Sequence, residues 1–196
     1  EYLYGYSELY FLEKPFSYIV PLNRFPMKTI VYDTNEKEIK VVNESPINEI
    51  MPKGFMAVKT GKRSLSWRAD QPASLFFVEA LDGGDPANKV EFRDELFTWE
   101  APFTQNPESL TKTPQRFAGI SWGDDQTAIV YDQWYDTRNE KTYLFNPSKK
   151  DGLKTIWDRN SQDIYSDPGN FQTTKNKFGR HTLQIENDQL VLVGEG

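Results

Sequence analysis

The sequence predicts an all-β fold, a partial β-propeller built from four-stranded antiparallel blades, and three observations lead there. Aromatic residues make up 14% of the 196 positions, and aromatic side chains favour pleated, half-buried strands. Twelve glycines and 12 prolines cut the chain into short runs, because glycine supplies positive φ and proline a fixed φ at turns. A supersecondary unit also recurs. SWRADQPASLFFVEA from Ser66 is echoed by SWGDDQTAIVYD from Ser121, and KTIVYDTNEKEIKVV from Lys28 by KTYLFNPSKKDGLKTIW from Lys141. Each echo is a strand, a polar turn and a second strand, and the two are half a unit out of phase. Together they describe about four strands per unit, with a period of about 50 residues, the spacing of radially repeated blades.

The strands follow in order. Runs at 7–14 and 17–22 are apolar and aromatic, and 28–33 and 38–42 flank the polar turn TNEK. The pair 65–69 and 74–80 flanks an Asp-Gln-Pro turn, and the second of these ends at the glycine turn LDGGDP. ELFTWE fills 95–100. The pair 117–122 and 127–133 repeats the Trp-to-Asp turn, 141–145 and 153–157 flank NPSKKDG, and 181–186 and 189–193 close the series. Turn residues separate nearly all of these runs. NESPINEIM at 43–51 is the nearest approach to a helix, and Pro46 limits it to one turn. Counted as blades, 1–50 holds the later strands of one, 60–114 a full blade, 115–160 another, and 172–196 the first two strands of a fourth. The chain is therefore expected to be a portion of a larger propeller, with a β-sandwich as the alternative.

Composition excludes several functions. With no cysteine there is no disulfide framework, thiolate metal site or thiol nucleophile. The net charge of −6 disfavours nucleic acid as a partner. No apolar run approaches the length of a membrane span, and the opening Glu-Tyr-Leu-Tyr lacks the basic start and apolar core of a signal peptide. A nucleophile elbow needs G-x-S-x-G. In GYSEL at 5–9, Leu9 stands where the second glycine belongs, so Ser7 is read as a strand residue. His181 is the sole histidine and has no serine at readable spacing. We therefore expect no catalytic residue, no cofactor and no metal in this chain. Asp82-Gly83-Gly84-Asp85-Pro86 could hold calcium at a rim, but its pattern is that of a sharp turn. Trp67, Trp122 and Trp157 suit packing between blades better than sugar stacking.

Three blocks carry a family resemblance: PFSYIVPLNRFPMKTIVYD from Pro15, AVKTGKRSLSWRADQPASLFFVEALDGGDP from Ala57 and QDIYSDPGNF from Gln162. In this order they resemble the N-terminal propeller of the bacterial and plastid glutamyl endopeptidases, within the prolyl oligopeptidase family of serine peptidases. The resemblance covers nearly the whole chain. It implies a non-catalytic propeller that gates and positions peptide substrates for an α/β-hydrolase domain of the same polypeptide, with the catalytic Ser, Asp and His in that absent domain. It also implies cleavage after glutamate. A buried glutamate carboxylate needs a cation, and arginine offers a bidentate fork. Arg63, Arg68 and Arg93 flank the most family-like blocks and are the candidates for substrate binding. A propeller scaffold without peptidase activity and a propeller enzyme acting on sugars are the alternatives. The compartment is not legible in the residues; resemblance to bacterial members suggests periplasm or cell envelope. Unpaired strand edges near 2–12 and 181–193 lead us to expect that the isolated chain self-associates, most simply as a dimer.

Overall fold

A computed structural model describes residues 6–194. The first three strands, β1 (Tyr6–Leu12), β2 (Met27–Asp33) and β3 (Glu38–Ser45), form an antiparallel sheet in sequence order. Next come two four-stranded antiparallel meanders. The first has β4 (Arg63–Trp67), β5 (Ser74–Ala80), β6 (Asp94–Glu100) and β7 (Glu108–Thr113); the second has β8 (Arg116–Trp122), β9 (Ala128–Trp134), β10 (Asn139–Phe145) and β11 (Leu153–Asn160). Both run in sequence order from edge to edge. The two copies of the Ser-Trp repeat occupy the same place in each meander, bridging its first and second strands. Six short strands follow: β12 (Asn170–Phe171), β13 (Thr173–Lys175), β14 (His181–Leu183), β15 (Ile185–Glu186), β16 (Gln189–Leu190) and β17 (Leu192–Val193). They pair as β12 with β17, β13 with β14, and β15 with β16. The fold is all-β and propeller-like, and the described residues do not close a ring.

The sheets stack through β5. Its Leu75, Phe76, Phe77 and Val78 are all buried, and successive side chains of a strand point to opposite faces. Phe76 and Val78 join Trp122, Ala128, Val130, Tyr143 and Phe145 of the second meander in one core. Leu75 and Phe77 join Val31 and Val42 of the three-stranded sheet, with Trp99 and Phe103, in another. The Trp122 ring meets Phe76 edge-on with centroids 5.6 Å apart, an arrangement the ring quadrupoles favour. That tryptophan does pack between sheets. Trp67 packs on the core shared by the three-stranded sheet and the first meander, tilted against Phe103 at 6.2 Å, and Trp157 of β11 meets Phe171 of β12 at 5.3 Å.

Several elements differ from the sequence reading. Residues 17–22 form bends leading into a 3₁₀ turn, Leu22–Arg24, rather than a strand. Pro15 and Pro21 bracket this run, and Tyr18 and Ile19 stand in solvent, so its apolar character has no sheet to join. The strand β7, ESLTKT, was missed because it carries one large apolar residue, the buried Leu110. The runs expected at 181–186 and 189–193 are each divided into two short strands, while the turn between them, with Asn187 and Asp188 at positive φ, falls where it was expected. The strand expected at 38–42 runs on to Ser45, and the rest of 43–51 forms no helix, in keeping with Pro46. Ser7 lies in β1, whereas Gly5 of the GYSEL segment and the outermost part of the expected 2–12 edge lie outside the described residues.

Candidate functional site

One end of the first meander is organised around two buried aspartates. After β5 the chain turns through Gly83 and Gly84, at φ +68° and +77°, and the Gly84 N–H donates to Asp82 Oδ1 at 2.9 Å. Gly84 lies so close to the Val58 carbonyl that a Cβ there would come within 2.0 Å of it. Only glycine permits both the approach and the backbone angle. The turn delivers the Asp82 carboxylate inward, to two guanidiniums: Arg93 donates to it at 3.0 Å and Arg116 at 2.7 Å. Arg116 also donates to Asp94 at 2.9 Å and to the Met56 carbonyl at 3.0 Å. Asp94 accepts the Phe117 N–H at 2.7 Å and pairs with Arg63. The result is a chain of charge, Arg63–Asp94–Arg116–Asp82–Arg93.

Burial alone would raise the Asp82 carboxyl, but Arg116 and Arg93 outweigh it and hold the group below the ordinary carboxylate range. Burial likewise works against the Arg116 charge, and Asp82 and Asp94 more than offset it. Three guanidiniums face two carboxylates, so the cluster carries a surplus positive charge. Arg63 is the least satisfied member: its Nε and Nη2 are buried without a well-directed hydrogen bond. The Arg93 guanidinium stacks over Trp134 at 4.4 Å.

The three arginines singled out in the sequence therefore separate. Arg63 and Arg93 belong to this cluster, linked through Asp94, Arg116 and Asp82. Arg68 lies at the opposite end of the meander, where it forks onto both oxygens of Asp70 at 3.1 and 2.6 Å and stacks on Trp122 at 4.3 Å. Arg116 and Asp94 were missed, because their relation to Asp82 exists only once β5 to β8 are folded together. The glycine pair after Asp82 was the one signal available.

At the Arg68 end, Arg180 clasps the turn between β4 and β5 by donating to the carbonyls of Arg68 (2.8 Å), Gln71 (2.7 Å) and Pro72 (3.2 Å). Asn176 adds a bond to the Ala69 carbonyl at 2.7 Å. His181 is exposed, and its Nδ1 lies 3.4 Å from the Thr173 hydroxyl.

A further buried acid sits in the second meander. Asp132, 1% exposed, accepts the Gln115 N–H at 3.0 Å and the Tyr143 hydroxyl at 3.1 Å, both on Oδ2. Burial pushes its carboxyl up to about 6 against those two bonds. Beyond the far face of this meander, a cavity of about 260 Å³ is bounded by Tyr131, Gln133, Trp157, Arg159 and Phe171. Its arginine is held by Glu140 at 2.6 Å and Asp167 at 3.4 Å.

The chain is similar to two plant glutamyl endopeptidases. It is 38% identical over 193 residues to a probable glutamyl endopeptidase, chloroplastic, of Oryza sativa subsp. japonica, covering 94% of this chain and 21% of that protein. It is 37% identical over 194 residues to the protein of the same name from Arabidopsis thaliana, covering 94% of this chain and 20% of the relative. The chain thus spans about a fifth of the length of these curated relatives. No family model and no solved structure matches it. The similarity supports a portion of a larger, peptidase-related protein.

Proposed function

We propose that this chain is the propeller portion of a serine peptidase of the prolyl oligopeptidase family with glutamyl endopeptidase-like specificity, and that it gates and positions peptides for a separate α/β-hydrolase domain. The observation that carries the reading is the 37–38% identity to glutamyl endopeptidases along 94% of the chain. Sequence blocks of the propeller type and an all-β stack of four-stranded sheets accord with it. In this reading the blades are those of residues 1–50, 60–114, 115–160 and 172–196. The nucleophile and its base belong to the hydrolase domain, and the chain alone has no peptidase activity.

Arg63, Arg68 and Arg93 are the proposed contacts to a substrate carboxylate. Arg63 suits the role best, because its guanidinium has hydrogen-bonding capacity left over and its cluster has positive charge to spare. All three already pair with an aspartate, Arg63 with Asp94, Arg68 with Asp70 and Arg93 with Asp82; what sets Arg63 apart is its buried Nε, which has no hydrogen bond.

The test is made on the longer polypeptide. It should label stoichiometrically with a fluorophosphonate and cleave a chromogenic glutamyl peptide, while the 196-residue chain does neither. Labelling of the short chain, or a coding sequence beyond it that lacks a nucleophile elbow, overturns the proposal. Arg63→Ala in the full enzyme should lower kcat/KM for glutamyl peptides selectively over glutaminyl peptides; equal losses would make Arg63 purely structural.

A further inference from the structure

Asp132 and Gln115, joined by one hydrogen bond, each keep a buried acceptor that no donor reaches. Both donors that reach the Asp132 carboxylate, the Gln115 N–H and the Tyr143 hydroxyl, fall on Oδ2. Oδ1 is buried with no partner, and so is Gln115 Oε1. Turning the Gln115 amide over does not cure this. Asn139 donates from Nδ2 to Asp158 Oδ1 at 2.7 Å and to the Arg159 carbonyl at 3.2 Å. Both partners are acceptors, which fixes the Asn139 amide and leaves its Oδ1 facing Gln115. Gln115 must answer with Nε2, as it does. Its own oxygen is therefore turned away from Asn139.

Two buried acceptors from residues already bonded to each other are thus both without a donor. Leaving buried acceptors unmade is costly, and native structures rarely tolerate it. The charged and titratable groups around Asp132 do not fill the gap. On β10, the Tyr143 hydroxyl is already committed to Oδ2, and the Lys141 ammonium lies 3.0 Å from Asp158 of β11. From β8, Arg116 is turned to Asp82 and Asp94.

We propose that Asp132 is a proton-binding site built into the fold: in the native chain a hydrogen on Oδ1 is donated to Gln115 Oε1, and its loss on raising the pH loosens the turn between β7 and β8. That turn is the covalent link between the two four-stranded sheets. The upward displacement of the carboxyl to about 6, caused first by burial, agrees with a retained proton. Because the folded value lies above the ordinary 3.8, the stability linked to this proton is complete below the ordinary value. It is lost as the pH rises through about 6.

Carboxyl carbon-13 NMR of the 196-residue chain, read from pH 3 to 8, tests this. Asp132 should titrate near 6, and the Gln115 amide shift should follow the same midpoint. Gln115→Leu removes the acceptor for the neutral acid and should lower the midpoint by about one unit. Asp132→Asn carries a fixed donor at the same place, so its unfolding midpoint in urea should be flat between pH 5 and 7.5, where the wild type loses stability. An ordinary carboxylate midpoint near 4, as expected if a buried water bridges the two oxygens, overturns the proposal. So does an unmoved midpoint in Gln115→Leu, or a pH dependence that survives in Asp132→Asn.

Discussion

Removing Arg116 should be among the most damaging single changes in the chain. Its side chain is 3% exposed and lies between two carboxylates that are fully buried. Arg116→Met keeps much of the volume but withdraws two ion pairs and the bond to the Met56 carbonyl. Asp82 is left with Arg93 and Asp94 with Arg63. Breaking a buried pair from one side costs about 3–5 kcal/mol, because the surviving charge stays buried without its compensation. With a urea dependence of about 2 kcal/mol per molar, the unfolding midpoint should fall by roughly 1.5–2.5 M, read by tryptophan fluorescence. The pH dependence gives a second signature. Asp82 is held below its ordinary range, so the stability it contributes is present above the ordinary carboxylate value and lost as the pH falls through its lowered one. The deficit of Arg116→Met should therefore be greatest near neutrality and shrink as Asp82 becomes protonated in both proteins. A midpoint change equivalent to less than about 1 kcal/mol, or a deficit that grows in acid, would show that the cluster behaves as a solvated surface pair.

The glycine turn offers a paired comparison by thermal unfolding. Gly84→Ala should cost several kcal/mol, since its Cβ meets the Val58 carbonyl, whereas Gly83→Ala faces open space and bears only the left-handed backbone penalty of about 1 kcal/mol. Arg180→Ala loses three bonds to carbonyls; a loss of about 1–3 kcal/mol is expected, with faster amide exchange confined to residues 68–72 and 176–180. Light scattering across a concentration series should show self-association of the isolated chain. Tyr10, Phe11 and Leu12 on β1 are about half exposed, and β1 is the edge of its sheet. A monomeric mass at high concentration would mean that this edge protects itself.

What the sequence discloses depends on whether a segment's chemistry is local. Run 74–80 was read to the residue, because SLFFVEA ends against a glycine turn and no other structure suits that pattern. The Ser-Trp echoes placed two meanders for the same reason. Residues 17–22 misled because Tyr-Ile-Val states only that a segment is apolar, not that a neighbouring strand exists to receive it. β7 misled in the opposite way: its Thr and Lys residues look like loop, and it becomes a strand through pairing with β6. The charge cluster was the least visible feature. Its members at 63, 82, 93, 94 and 116 are brought together by the three hairpins of the first meander and the turn from β7 into β8, and no spacing in the chain foretells that Arg116 will reach Asp82.

The double-sided burial of β5 has a consequence for alignment. In most strands a one-residue slip is punished because it drives polar side chains inward and apolar ones into water. Leu75-Phe76-Phe77-Val78 offers no such penalty: slipped by one, each face still receives a leucine, a phenylalanine or a valine. Something other than greasiness must tell this strand where to stop. The two ends of the meander supply it, Asp82 locked to Arg116 just past one end of β5 and Arg68 forked on Asp70 just before the other. The buried charges act as locating pins. A chain that lost them could still collapse around the same phenylalanines, but with its hairpins one notch out of step.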